Sequence, residues 1–162
     1  MSETTIERQA STLLQLASFR LAEEEYAVDI SAVQEIVRMS SITRVPRAPS
    51  FVEGVVNLRG KIVPVIDLRR RFGMASAEPT KATRIIIVDV AGKTVGLIVD
   101  AVREVLRLDS EAVSATPELV ASGIDAAFFK GVGQLGDRLI ILLDLQRLLS
   151  MEEIAALDKA PV

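Results

Sequence analysis

Apolar and polar residues alternate along most of this chain with the period of strands. The clearest stretch runs from Phe51 to Gly73, where Val55 to Leu58 and Ile62 to Ile66 are apolar, β-branched-rich runs separated by Arg59-Gly60. A two-residue connection ending in glycine between such runs predicts a β-hairpin with its turn at Gly60. Asp67 ends the second run and is placed to cap a short helix, its carboxylate accepting a first-turn N–H. Leu68 and Phe72 then share one face, and Gly73 suits the left-handed exit. Upstream, Leu16 to Ala22 alternates loosely and Tyr26, Val28 and Ile30 alternate with Ala27 and Asp29, which predicts two strands around an acidic turn, Glu23-Glu24-Glu25. Ser31 with Gln34 has capping-box spacing, so one helical turn is expected before Glu35 to Met39 extends again; Val33, Ile36 and Val37 also fit helical spacing. Pro46 and Pro49 make Ile42 to Ser50 an edge strand and a loop, and Pro64 inside a strand run predicts an edge or barrel-rim position.

The same pattern returns in the second half. Phe51, Gly54, Val55, Leu58, Asp67, Leu68 and Arg70 recur as Phe128, Gly131, Val132, Leu135, Asp144, Leu145 and Arg147, with Gly136-Asp137 in place of the Arg59-Gly60 turn. Ala32, Val33, Glu35, Arg38 and Ser41 recur as Ala101, Val102, Glu104, Arg107 and Ser110, and Asp100 falls opposite Ser31. Arg84 to Val90 and Thr94 to Val99 flank Ala91-Gly92-Lys93, a hairpin with a three-residue loop, and Arg103 to Leu108 extends the sheet. Ser114 to Asp125 reads as a surface loop that makes the second copy longer. Ser150 with Glu153 predicts a terminal helix over Met151 to Leu157. The organisation expected is a flexible lead over residues 1–15, a single domain over 16–157 divided into a first barrel at 16–83 and a second barrel at 84–149 followed by the helix at 150–157, and a tail at 158–162.

At 162 residues the chain has the length of one domain. Apolar residues make up 49% and the mean hydropathy is +0.35, but no apolar run approaches the ~18 residues that span a bilayer. The polar, acidic start does not read as an export signal, so a cytoplasmic protein without direct membrane insertion is expected. The absence of both Cys and His removes thiol nucleophiles, imidazole triads and the usual zinc sites. A net charge of −3 with interspersed signs and few aromatics argues against nucleic-acid binding.

Two local motifs point elsewhere and fail on context. Gly131-Val132-Gly133-Gln134-Leu135-Gly136 fits a dinucleotide fingerprint, yet an apolar strand follows where a helix must begin. Arg69-Arg70-Arg71 is basic enough for phosphate, but its copy Gln146-Arg147-Leu148 keeps only the middle Arg, so a solvated helix face is expected. Asp67, Asp144 and Glu23 to Glu25 have capping or turn explanations, which leaves no carboxylate pair for acid–base catalysis.

The segments Glu24-Glu25-Tyr26-Ala27-Val28-Asp29-Ile30, Val33-Gln34-Glu35-Ile36, Asn57-Leu58-Arg59-Gly60 with Val63-Pro64 and Asp67-Leu68-Arg69, and Gly96 to Leu106 resemble the CheW family of chemotaxis coupling proteins. The resemblance covers about residues 16 to 157. It implies a mainly β fold of two intertwined five-stranded SH3-like barrels with short helices. It also implies no catalysis, no cofactor, and a scaffold role at receptor arrays of the inner membrane. The implied partners are methyl-accepting chemotaxis receptors and the CheW-like regulatory domain of the histidine kinase CheA. Related non-flagellar chemosensory pathways fit the same residues, and a ligand-binding barrel or an enzyme is the alternative class.

Carried over by position, the family's receptor side corresponds to Val33, Glu35 and Arg59, with Glu35 and Arg59 expected as a partly exposed pair. Val33 also fits a plain core position. Kinase contact corresponds to Ile42 and Thr43. Gly54, Gly60, Asp67, Gly131 and Asp144 are expected as turn and cap residues. Glu104 keeps the acid of the second copy but Gly136 has lost the Arg, so only the first copy is expected to make this pair.

Overall fold

The structure is a computed structural model and describes residues 12–114 and 128–149. The expected terminal helix, and the loop beyond Ser114, lie outside these residues. Among these residues eleven strands form: β1 (Leu13–Leu21), β2 (Glu24–Asp29), β3 (Val33–Arg38), β4 (Val52–Leu58), β5 (Lys61–Asp67), β6 (Arg84–Val90), β7 (Lys93–Val99), β8 (Ala101–Asp109), β9 (Val113–Ser114), β10 (Phe129–Leu135) and β11 (Arg138–Leu143). Two short helices, α1 (Leu68–Arg71) and α2 (Leu145–Leu148), follow β5 and β11, and 3-10 turns occupy Ile30–Ala32 and Ser110–Ala112.

The strands form a six-stranded sheet in the order β8-β1-β2-β11-β10-β9 and a five-stranded sheet in the order β3-β6-β7-β5-β4. Each sheet therefore draws on both sequence copies, and the expected division at 83/84 is not a division in space. Among the described residues the chain passes between sheets only twice, from β2 to β3 and from β7 to β8. One barrel is continuous, residues 33–99; the other joins 13–29 to 101–143.

The duplication survives as matched geometry. The repeated turns open alike, Ala22 and its copy Ala91 at φ 55° and 52°, and Arg59 and its counterpart Gly136 at 51° and 61°; Ala91-Gly92, with Gly92 at 83°, is a two-residue turn with both central residues at positive φ, the twist that suits a hairpin. Lys93 accordingly belongs to β7 and not to a three-residue loop. Asp67 Oδ1 accepts the Arg69 N–H at 3.0 Å and Asp144 Oδ1 accepts the Gln146 N–H at 3.1 Å, one cap in each copy. At Gly54 a Cβ would lie 2.2 Å from the Thr43 carbonyl oxygen, and at Gly131 a Cβ would lie 2.4 Å from that of Ser114. These are equivalent close approaches, where Thr43 bridges Val55 and Ser114 pairs Val132.

Several local expectations are corrected. The acidic turn is Ala22-Glu23, so Glu24 and Glu25 sit in β2, and β1 already begins at Leu13. Asp29, not Ser31, caps the first 3-10 turn by accepting the Ser31 N–H at 2.9 Å, and Asp109 does the same for the second. Ile42 to Ser50 contributes a single bridge at Thr43 and no edge strand. Pro64 lies in an interior strand. Its partner Val55 exchanges both backbone bonds with Thr43, so the proline nitrogen faces β7, whose ladder with β5 starts only at Val65.

Three apolar clusters result. Val56, Val63, Val65, Ile85 and Ile87 fill the continuous barrel, and Leu16, Ala27, Leu106, Leu108, Ile140 and Leu142 fill the other. Between the barrels lies the largest cluster, which includes Phe19, Tyr26, Ile66, Leu68, Phe72, Ile86, Leu97, Phe129, Ile141 and Leu148. Strands such as β6 and β11 thus send alternate residues into a barrel and into the shared layer, which is why they read as continuous apolar runs. Arg71 closes this layer at the rim. Its guanidinium lies 4.5 Å from the Phe51 ring centre and 5.0 Å from that of the repeat copy Phe128, and Nε donates to the Leu148 carbonyl at 2.8 Å. The Arg run is therefore no solvated face: Arg69 pairs with Asp100 at 2.5 Å and Arg70 with Glu53 at 3.3 Å.

Tyr26 stacks on Phe19 and Phe72, and its buried hydroxyl finds no hydrogen-bond partner among the described residues; burial pushes the phenol up to about 12. An unpaired buried hydroxyl costs about 1–3 kcal/mol, so Tyr26→Phe is expected to leave stability unchanged or raise it, whereas Gly54→Ala overpacks against backbone and is expected to cost about 1–3 kcal/mol. Urea denaturation of the two variants checks both signs.

Candidate functional site

The two edges of the five-stranded sheet are β3 and β4. β3 carries Glu35, the β4–β5 hairpin carries Arg59, and the Arg59 guanidinium donates to a Glu35 carboxylate oxygen. Positive φ at Arg59 throws its side chain clear of the hairpin, leaving it 78% exposed against 29% for Glu35. Asn57 Oδ1 accepts the Gly60 N–H at 2.8 Å and stiffens the turn. Ile36 and Ile62, on the two strands that bring the pair together, are each 40% exposed. The rim thus offers a partly exposed ion pair, with partly exposed aliphatic residues elsewhere on the same strands, chemistry suited to binding a protein surface.

Val33 is half-buried and packs against the layer between the barrels. Thr43 is exposed, and Ile42 is half-buried against the interior of the continuous barrel, close to Gly54. Glu35 and Arg59 are therefore brought together, while Ile42 and Thr43 stand on the separate bridge to β4.

The equivalent place in the second barrel was misread from sequence. Gly136 has indeed lost the Arg, but Arg138, two residues further on, supplies another guanidinium. It lies 2.7 Å from Glu104 and 2.5 Å from Glu25, and Arg103 adds a contact to Glu25 at 3.1 Å. The corresponding residues of the continuous barrel are Lys61 and Thr94, whose ammonium and hydroxyl share one hydrogen bond at 2.9 Å. Glu25 is 8% exposed. Burial opposes its charge, but hydrogen bonds from Arg138 and Ser18 and the attraction of Arg138 and Arg103 hold its carboxyl below the usual range. The signal available in sequence was a glutamate inside a β2 pattern opposite an arginine opening β11. Val105 and Leu139, the copies of Ile36 and Ile62, are 62% and 58% exposed. Among the described residues no group of three or more His, Cys, Asp or Glu is placed to hold a metal ion.

The two pairs are expected to behave oppositely. Arg59→Met removes an exposed contact and is expected to cost about 0–1 kcal/mol. Arg138→Met strands a buried carboxylate and is expected to fall at the lower end of about 3–5 kcal/mol, since Arg103 remains. Glu25 is depressed in the folded state, so its stabilisation is present above about pH 4.3 and is lost as pH falls through the lowered value. The cost of Arg138→Met is therefore expected to shrink below pH 4, which denaturant titrations at pH 7 and pH 3.5 measure.

Comparison with known proteins matches this geometry to a family. The CheW-like domain model matches residues 15–153. The chain is 41% identical over 140 residues to chemotaxis protein CheW of Klebsiella aerogenes, covering 86% of this chain and 84% of that protein. It is 39% identical over 139 residues to a probable chemotaxis protein CheW of Rhizobium etli, covering 86% and 89%. Among solved structures, the scaffolding protein TtCheW from Thermoanaerobacter tengcongensis superposes with a TM-score of 0.79 at 43% identity, covering 88% of this chain and 91% of that one. The paired barrels, their shared core and these matches over most of the length place the chain in the CheW-like family.

Proposed function

We propose that this protein is a non-catalytic scaffold coupling methyl-accepting chemotaxis receptors to the histidine kinase CheA. In this reading Val33, Glu35 and Arg59 form the receptor side, while Ile42 and Thr43 meet the kinase's CheW-like regulatory domain. The observation that carries it is the partly exposed Glu35–Arg59 pair on the rim of the continuous barrel, between β3 and the β4–β5 hairpin. No helix among the described residues is long and apolar enough to cross a membrane, and recruitment to arrays at the inner membrane follows from receptor contact.

Arg59→Glu tests the assignment because it sets two like charges together at little cost to folding. Pull-down with receptor membranes is expected to lose most of the binding while the melting temperature stays near that of the parent. The double change Glu35→Arg with Arg59→Glu is expected to recover part of it. Normal binding by the single variant rejects the site.

A further inference from the structure

The two passages between barrels are equivalent in the repeat but are secured differently. At the β7–β8 passage Asp100 binds three elements at once. It takes Nε and a terminal nitrogen of Arg69 from α1 at 2.9 and 2.5 Å, accepts the Ala22 N–H of the β1–β2 turn at 2.8 Å, and donates its own N–H to the Arg20 carbonyl at 3.0 Å. A bidentate guanidinium–carboxylate pair is directional as well as strong, so it fixes α1 of one barrel against a turn of the other. At the β2–β3 passage Ser31 stands where Asp100 does, and Gln146 stands where Arg69 does. Both line one cleft of about 300 Å³, but the Ser31 hydroxyl turns back to Asp29 at 2.8 Å, and no hydrogen bond joins Ser31 to Gln146.

The apolar layer between the barrels resists separation but, being non-directional, does little to resist small sliding. We propose that Arg69 and Asp100 form the fixed pivot of a small rocking motion between the barrels, and that the unlatched passage at Ile30–Ala32 is where this motion is released. That passage leads directly into Val33 and Glu35, so a receptor pressing on β3 acts at the movable side. Arg69 and Asp100 are then positioning residues for coupling. The functional half of this inference rests on the proposed receptor role of β3; the mechanical half does not.

Native-state hydrogen exchange on the full chain tests the mechanical half. Amides at Ile30 to Val33 are expected to exchange about tenfold faster than those at Asp100 to Val102, and Arg69→Gln is expected to remove the difference. Equal protection in the parent protein overturns the pivot. The functional half is read from a relocated latch, Arg69→Gln and Asp100→Ser combined with Ser31→Asp and Gln146→Arg. This variant is expected to regain the parent's melting temperature and receptor binding but not receptor control of the kinase. Full recovery of control together with stability would mean the pair is only structural. Loss of control by the parent protein itself would remove the scaffold reading and leave the exchange result standing.

Discussion

Everything else in this molecule depends on the apolar layer that the two barrels share. Neither sheet has a polar outer face at that side: β1, β2, β6, β7 and β11 each send residues into it, among them Phe19, Tyr26, Ile86, Leu97 and Ile141. Burial of a large aliphatic or aromatic side chain contributes about 1.5–3 kcal/mol, so leaving one barrel's half of this layer in water would cost more than a barrel's own small interior supplies. The five residues at the centre of the continuous barrel are no substitute for it. This explains why the strands are exchanged between sheets: two passages of the chain tie the barrels together on either side of a layer that must stay covered.

Duplication within such a body frees one copy to specialise. The structural parts of the repeat are kept in both copies, as the Asp67 and Asp144 caps and the close approaches at Gly54 and Gly131 illustrate. Charge is where the copies part. Around Arg59 the ion pair is largely in water, cheap to disturb and open to a partner. Around Arg138 the corresponding charges are drawn inward onto Glu25 and serve the fold. The same passage between sheets is latched by Arg69 and Asp100 on one side and left as Ser31 and Gln146 on the other.

Local physics made the hairpins, caps and duplication legible in the sequence, because Arg59-Gly60 and Asp67 act on their immediate neighbours. The pairing of Glu35 with Arg59 came from family resemblance and could not have come from spacing alone. Residues whose partners lie far along the chain were misjudged for a uniform reason. Glu25 read as a turn residue because Arg138 is remote in sequence, and the Arg run read as solvated because Asp100, Glu53, Phe128 and Leu148 are not its neighbours. The exchange of strands came only from the intertwined barrels that the family resemblance implies, since a crossover leaves no mark in a period-two pattern. Pro64 illustrates the limit well: its missing donor led to the expectation of an edge or rim position, yet a nitrogen can lack a ladder partner inside a sheet wherever the next ladder has not begun.

The central claim is that the barrels are one thermodynamic body because they share one core. Differential scanning calorimetry of the intact chain tests this most directly. A single transition whose calorimetric and van't Hoff enthalpies agree is the expected result. Two resolved transitions, one lost when Val63 in the continuous barrel is truncated and the other when Leu106 is truncated, would contradict it.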